Sequence, residues 1–414
     1  MAVSFLSVPI MARYLSPERY GFFLTVTALA MWIGLADLGL GNGLTNRLAQ
    51  ANAREDQDLQ AQLVGTALLS VGSVCALLTL GLVVGFGIVP WRAVFAVGPE
   101  LADSEIHTTV VVVLGLWLLN IPLGLVDKVY AGYQMIHVNN AWSVVAGCLS
   151  LAGLAFAVSQ RATLPWVVLS VHGALPLVRL ASWLRLCVQK PHLRPRFRNF
   201  RLDVAGGLFK LGGGFLIAQL AAIGVWQSDQ IILSHVVGPS SVGPYVVTLR
   251  LATLYLAMLM TWLAPFWPAC ADAAARNEWS WVSTVYLRAL KRSMLTTLFA
   301  AAGLAALGGW AIAIWAGARV TPSQGLLSAM AVYLLALVWC QVHAVLLNAL
   351  GKVSGQASYG VLAAILNVGL SIWLGQHFGA TGVCVATILA VLPACVLSNI
   401  ELRWVLRTEQ AQRL

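Results

Sequence analysis

The chain has 414 residues, 59% of them apolar, against 25 basic and 15 acidic side chains and a formal net charge of +10. Charged residues make up 10% of the chain, whereas a water-soluble domain carries about a quarter, so solvated groups cannot cover a globular surface and the chain is an integral membrane protein. Its apolar runs are long enough for helices of about 20 residues, which excludes a β-barrel, whose strands alternate over about ten; the mean hydropathy of +0.82 agrees.

Glycine, proline and charge clusters divide the chain into twelve predicted helical spans, at about 1–13, 20–44, 63–89, 108–126, 141–158, 164–187, 206–236, 242–267, 293–315, 326–349, 355–375 and 380–402. The first is short, since the stretch before Arg13 rises only about 18 Å as a helix; helix one is partial or the start is late. No basic segment precedes it, which argues against a signal peptide. With the N-terminus inside, the inner connections hold sixteen Lys and Arg, and the outer ones hold five: Arg13, Arg19, Arg92, Arg161 and Arg319. This positive-inside bias predicts cytoplasmic termini, and the basic excess needs no nucleic-acid partner. The densest basic cluster, Lys190 to Arg201, falls near the middle and predicts an N-terminal six-helix lobe over 1–188, a basic cytoplasmic linker over 189–203 and a C-terminal six-helix lobe over 204–414. Leu15 to Phe23 echoes Val237 to Tyr245 at a shift of 222 residues, each joining the first two spans of a half, as internal repeats in transporters do. The connections Arg47 to Gln62 and Ala271 to Arg292 predict amphipathic helices along the inner interface, the second anchored by Trp279 and Trp281.

Catalytic and cofactor chemistry finds little support. A phosphate-cradling loop needs GxxxxGK[ST], and the Gly351-Lys352 pair is followed by Val353. The glycines at 39, 41 and 43 and at 212 to 214 lie in helical context without a strand, and read as close helix packing or a local break. Seven cysteines show no CxxC spacing, so no metal or redox role is assigned. The longest outer connection, Pro90 to His107, carries charges that read as a solvated rim. His172, His343 and His377 are scattered over different spans and read as satisfied polar contacts. The sequence therefore predicts no enzyme, no catalytic residue and no cofactor.

Intramembrane charges are the sharper signal, because burying one in hydrocarbon costs about 2.5 kcal/mol or more, so they tend to face a cavity or a partner. Asp229 and Arg250 stand at equal distances from the turn at Pro239-Ser240, which predicts a hydrogen-bonded ion pair between adjacent helices in the outer half of the membrane. That pair is either a structural staple or a charge pair that responds during transport. Arg179, in the inner half of its span, faces an anionic head group together with Arg185, or Arg185 snorkels to the surface. Asp37, ahead of Gly39, either binds a cation or caps a broken helix. Asp127 and Lys128 read as self-compensating.

Five stretches resemble one family. They are Arg13 to Gly21; Asp37 to Gly43 with Arg47; Ser228 to Ile232 followed by Val237 to Tyr245; Trp262 to Pro268 with Ala273 and Arg276; and Asn348 to Lys352 with Asn367 and Phe378 to Gly382. In this order they resemble the polysaccharide-transporter, or O-antigen flippase, branch of the multidrug/oligosaccharidyl-lipid/polysaccharide exporter superfamily. The resemblance implies an all-α, MATE-like exporter fold whose two six-helix lobes alternate about a central cavity. It implies a polyprenyl-pyrophosphate-linked oligosaccharide, an O-antigen or exopolysaccharide unit, flipped across the bacterial inner membrane with H+ or Na+ as coupling ion. Membrane lipids and polysaccharide polymerase machinery are the further partners. A pyrophosphate gives Arg179, Lys210 and Arg250 the task of cavity cations and leaves Asp37 and Asp229 as the acidic, ion-coupling positions. A multidrug or cation exporter of the same superfamily and a membrane glycan polymerase are the alternative readings.

Overall fold

The computed structural model describes residues 2–350 and 354–411; Lys352 of the fifth stretch and Arg413 of the basic count lie outside the described residues. The described chain is helical, with no strand. Nine helical segments among the described residues are long and apolar enough to cross a membrane, so this is a multi-pass membrane protein. One of them, Ser358–Thr408, has 51 residues, a length of about 77 Å that no single crossing needs. It breaks at Gly379, where φ is 59° and ψ is −140°.

The chain forms two compact units, Met1–Leu220 and Ala221–Leu414. In chain order the first contains α1 (Ala2–Tyr14), α2 (Pro17–Ile33), α3 (Leu40–Ala53), α4 (Gln57–Gly85), α5 (Trp91–Val94), α6 (Asp103–Gly132), α7 (Ile136–Ser159), α8 (Leu164–His172) and α9 (Ala174–Gln189). Helix α10 (Leu202–Trp226) runs from the first unit into the second. The second unit continues with α11 (Ser228–Val236), α12 (Val242–Leu263), α13 (Phe266–Ala275), α14 (Trp279–Trp315), α15 (Gln324–Ala349) and α16 (Ser354–Ala411).

Local chemistry sets the helix ends. Ser16 caps α2 by accepting from the Arg19 amide, with Pro17 at the first helical position, where its missing N–H costs nothing. Asp56 accepts from the Leu59 amide at the start of α4, and Ser323 from Leu326 at the start of α15. Between α2 and α3 the chain breaks into a 3-10 turn, Gly34–Asp37. The Asp37 carboxylate accepts from the Gly39 amide at 2.9 Å, and Gly39 takes φ 71°, a conformation only glycine adopts at low cost. A Cβ on Gly39 would run into the Gly212 carbonyl oxygen, and one on Gly43 would sit 3.2 Å from that of Leu208. The two glycine groups thus provide both a helix break and a backbone-to-backbone approach of α3 and α10.

In the first unit, α3, α4, α6 and α9 share a core built on Leu44, Leu48, Val64, Val126, Tyr130 and Leu186. The basic segment is docked on this core. Leu193 is buried in it, the Arg201 amide donates to Thr66 Oγ1 at 3.1 Å, and His192 Nε2 meets Gln60 Oε1 at 3.1 Å. The boundary between compact units accordingly falls within α10, well after the basic cluster. In the second unit α15 is central, with α12, α13, α14 and α16 packed around it.

Candidate functional site

The second unit encloses a carboxylate. Asp229, at the first turn of α11, is 2% exposed. Its Oδ2 accepts from Tyr245 Oη of α12 at 2.6 Å and from Thr387 Oγ1 of α16 at 2.9 Å. Its Oδ1 accepts from Asn367 Nδ2 at 2.8 Å and from Ser371 Oγ at 3.4 Å. Four neutral donors, one from α12 and three from the two segments of α16 on either side of Gly379, thus satisfy both oxygens, and no cation among the described residues forms an ion pair with Asp229. Hydroxyls rotate and can accept as well as donate. Thr387 Oγ1 also reaches the Val383 carbonyl at 3.1 Å, so the cage can re-form around a neutral carboxyl group. The arrangement can hold a proton, or a small hard cation among oxygen ligands. No cluster of three His, Cys, Asp or Glu suited to a metal ion occurs among the described residues.

The expected pair of Asp229 with Arg250 does not form. Arg250 is exposed, and helical phase is the reason. The buried stripe of α12 runs through Tyr245, Thr248, Ala252, Leu256 and Leu259, and Arg250 lies five residues from Tyr245, about 140° around the helix. Matching depth brought the right helices together, but Tyr245 occupies the inward position.

In the first unit, Arg179 of α9 lies along α6. Its Nη2 and Nε meet Asp127 Oδ2 at 2.6 and 3.1 Å, and its Nη1 donates to Asn120 Oδ1 at 3.1 Å and to the Asn120 carbonyl at 3.2 Å. Asn120, Gly124 and Asp127 follow one another on a single face of α6, and Gly124 leaves room because a Cβ there would stand 3.1 Å from Nη1. Asp127 is therefore not compensated by Lys128, since adjacent helical residues do not face each other. Lys128 Nζ turns to Asn42 Oδ1 at 2.7 Å. Lys210 and Arg185 are exposed, and neither forms an ion pair among the described residues.

Other expectations are refined. In the outer connection Arg92 meets Asp103 at 2.8 Å and Glu105 meets Arg19 of α2 at 3.0 Å, while Glu100, Asp103 and His107 are exposed, as a solvated rim requires. His343 is satisfied: Nε2 is 2.9 Å from Tyr286 Oη and 3.0 Å from Asn399 Nδ2, and Nδ1 is 2.7 Å from the Trp339 carbonyl. His172 is not, since its buried Nε2 has no partner among the described residues; the ring stacks on Phe23 at 5.7 Å. Cys340 and Cys395, 55 residues apart in sequence, bring their sulfurs to 2.9 Å, a meeting that motif spacing does not reveal. Tyr245 and Asn367 stood in the stretches that carried the resemblance. Ser371, Thr387 and Asn120 were missed, because single polar residues in apolar helices give no periodic signal.

Comparison with known proteins agrees with this architecture. A putative O-antigen transporter of Salmonella typhi is 23% identical over 403 residues, covering 94% of this chain and 89% of that protein. A putative O-antigen export protein of Yersinia pseudotuberculosis is 22% identical over 401 residues, with the same coverage. Among solved structures, an inward-facing multidrug resistance MATE family transporter of the MOP superfamily superposes with a TM-score of 0.80 at 14% identity, covering 100% of both chains. The lipid II flippase MurJ, in an inward closed conformation, gives 0.75 at 10% identity, covering 97% of this chain and 85% of that one. Likeness at such identity shows a shared fold, here the MATE-like exporter fold. Residues 10–324 match the family model for polysaccharide biosynthesis proteins, and the chain belongs to that family.

Proposed function

We propose that the chain is a flippase carrying a polyprenyl-pyrophosphate-linked oligosaccharide, an O-antigen or exopolysaccharide unit, from the inner to the outer leaflet of the bacterial cytoplasmic membrane. The observation that carries this reading is the nearly full-length similarity to proteins named for O-antigen transport and export. The chain works by alternating access, with twelve crossings in two six-helix lobes and both termini cytoplasmic, and makes or breaks no covalent bond. A pyrophosphate head group calls for cations without carboxylate partners, a description that suits the exposed Lys210 and Arg250. Arg179, already shared between Asp127 and Asn120, orders its own unit and offers the head group only its remaining donors. Asp229 is the coupling position: a carboxylate caged by rotatable hydroxyls exchanges a proton or Na+ as its helices move. Asp37, engaged by the Gly39 amide, is the second acidic position.

The test is reconstitution of the full chain into vesicles loaded on one leaflet with the lipid-linked oligosaccharide, with lectin access to the sugar as the readout. Movement above protein-free vesicles is expected, and Lys210→Ala with Arg250→Ala is expected to slow it. Vesicles that export a cationic drug while the glycan stays in place overturn the reading in favour of a drug exporter. Lengthening of the glycan points to a polymerase.

A further inference from the structure

The second unit carries a cleft outside the Asp229 site. Helices α14 and α16 each pack on α15 while touching each other little, so α15 forms a floor between two walls. The cavity is about 480 Å³, lined by Met294 of α14, Val332, Leu335 and Trp339 of α15, and Leu392 and Val396 of α16. That volume lies within the range of small-ligand sites, about 300–1,000 Å³. The lining is apolar: the Trp339 indole N–H is engaged by the Cys395 carbonyl at 3.1 Å, and the polar Asn399 stands at one end. Val332, Leu392 and Val396 are each about half exposed, so the cleft opens along an apolar rim.

Its polar end can be levelled. Tyr286 of α14 and Asn399 of α16 both reach His343 Nε2, so these two positions stand at the same height. Five residues further from the cleft on each helix come Trp281 and Trp404, 43% and 64% exposed. Paired exposed tryptophans at one level mark the headgroup zone of a bilayer. Cations stand between the cleft and this level and just beyond it. Lys291 lies one turn before Met294 on α14, about 60° around the helix from it, and Arg403 and Arg407 continue the stripe of Leu392, Val396 and Ile400 along α16. All three are exposed, and none forms an ion pair among the described residues. Glu401, the nearby carboxylate, is turned to Tyr359 at 3.2 Å. Arg403 is close enough to Tyr286 and His343 to act on both electrostatically. On helix rise, Lys291 and Arg403 bracket the His343 level by about 7 Å and 6 Å.

We propose that this cleft binds an anionic glycerophospholipid from the surrounding bilayer, one acyl chain lying in the cavity and the phosphate meeting Lys291 and Arg403. An apolar slot followed by cations without ion-pair partners on the way to the interfacial tryptophans matches the tail and the head group of such a lipid, and offers no polar wall for sugar. The inference rests on membrane placement alone and stands apart from the cargo assignment.

The full chain, purified in detergent, is incubated with phosphatidylglycerol or phosphatidylcholine of identical acyl chains, and bound lipid is counted by native mass spectrometry. Phosphatidylglycerol is retained in preference, and Lys291→Ala with Arg403→Ala brings it to the phosphatidylcholine level, a loss of roughly fivefold per cation. Leu392→Trp, which fills the slot, lowers retention of both lipids. The exposed pair Arg194→Ala and Arg198→Ala, far from the cleft in sequence, leaves retention unchanged. Equal retention of both head groups by the unaltered protein, no effect of the double alanine variant, or an equal loss in the Arg194/Arg198 control overturns the proposal. Displacement of the bound lipid by equimolar polyprenyl phosphate also overturns it, because the slot then belongs to the cargo. Should Leu392→Trp fail to fold, the alanine substitutions at exposed positions carry the test alone.

Discussion

Asp229 is the residue on which the second unit's polar chemistry converges, and its neighbours decide what a substitution does. Asp229→Asn keeps the shape but replaces one acceptor oxygen with a donor that confronts Tyr245 Oη or Asn367 Nδ2. One lost or opposed buried hydrogen bond costs about 1–3 kcal/mol, so the variant folds with a lowered melting temperature, and glycan movement no longer responds to an imposed pH or sodium gradient. An unchanged gradient response would remove Asp229 from coupling. Arg179→Ala leaves Asp127 without its partner in a site only 22% and 28% exposed. Breaking a fully buried pair costs about 3–5 kcal/mol, and partial exposure brings the expected loss nearer 1–3 kcal/mol. Adding Asp127→Ala recovers part of it, and a double-mutant cycle by thermal denaturation in detergent reads the coupling directly.

At the scale of elements, the break between α2 and α3 and the docked basic segment are the two places where short-range chemistry fixes a long-range contact. Gly39→Ala meets both a positive φ and the Gly212 carbonyl, and is expected to destabilise the first unit by about 2 kcal/mol or more. Gly213→Ala, in open space on the same helix as Gly212, is neutral or stabilising by up to about 1 kcal/mol. Equal melting temperatures for the two variants would contradict the close approach. His192 holds the basic segment to Gln60, and burial, reinforced by the nearby Lys190 charge, pushes its pKa below the ordinary 6.5. The docked state therefore favours the neutral ring. Its contribution is full above about pH 6.5 and is lost as pH falls through the lowered value, because the released segment takes up the proton first. Protection against hydrogen exchange over residues 190–201, corrected for the intrinsic pH dependence of exchange, should fall on going from pH 7.5 to pH 5, and His192→Gln should flatten that dependence.

Over the whole molecule, the distribution of Lys and Arg sets orientation, and a C-terminal fusion tests it. A fluorescent protein at the C-terminus should fold and emit, whereas alkaline phosphatase there should stay inactive; the reverse result would invert the assigned topology. Composition alone identified a helical membrane protein, since 10% charge at 59% apolar content leaves no other solvent for the surface. Apolar runs located the helices, because a run is an average over many residues, and the Lys and Arg counts predict their orientation. Partners were not legible in that way. Asp229 stood out in the sequence as an intramembrane charge, yet its company is Tyr245, Asn367, Ser371 and Thr387 rather than the expected Arg250; Asp127 chose Arg179 over its neighbour Lys128. A one-residue shift turns a helical side chain by about 100°, so depth along a helix can be read from sequence while direction around it is decided only when the helices pack. The cleft of α14, α15 and α16 makes the same point, because a cavity is set by the gaps between helices, and those gaps exist only in three dimensions.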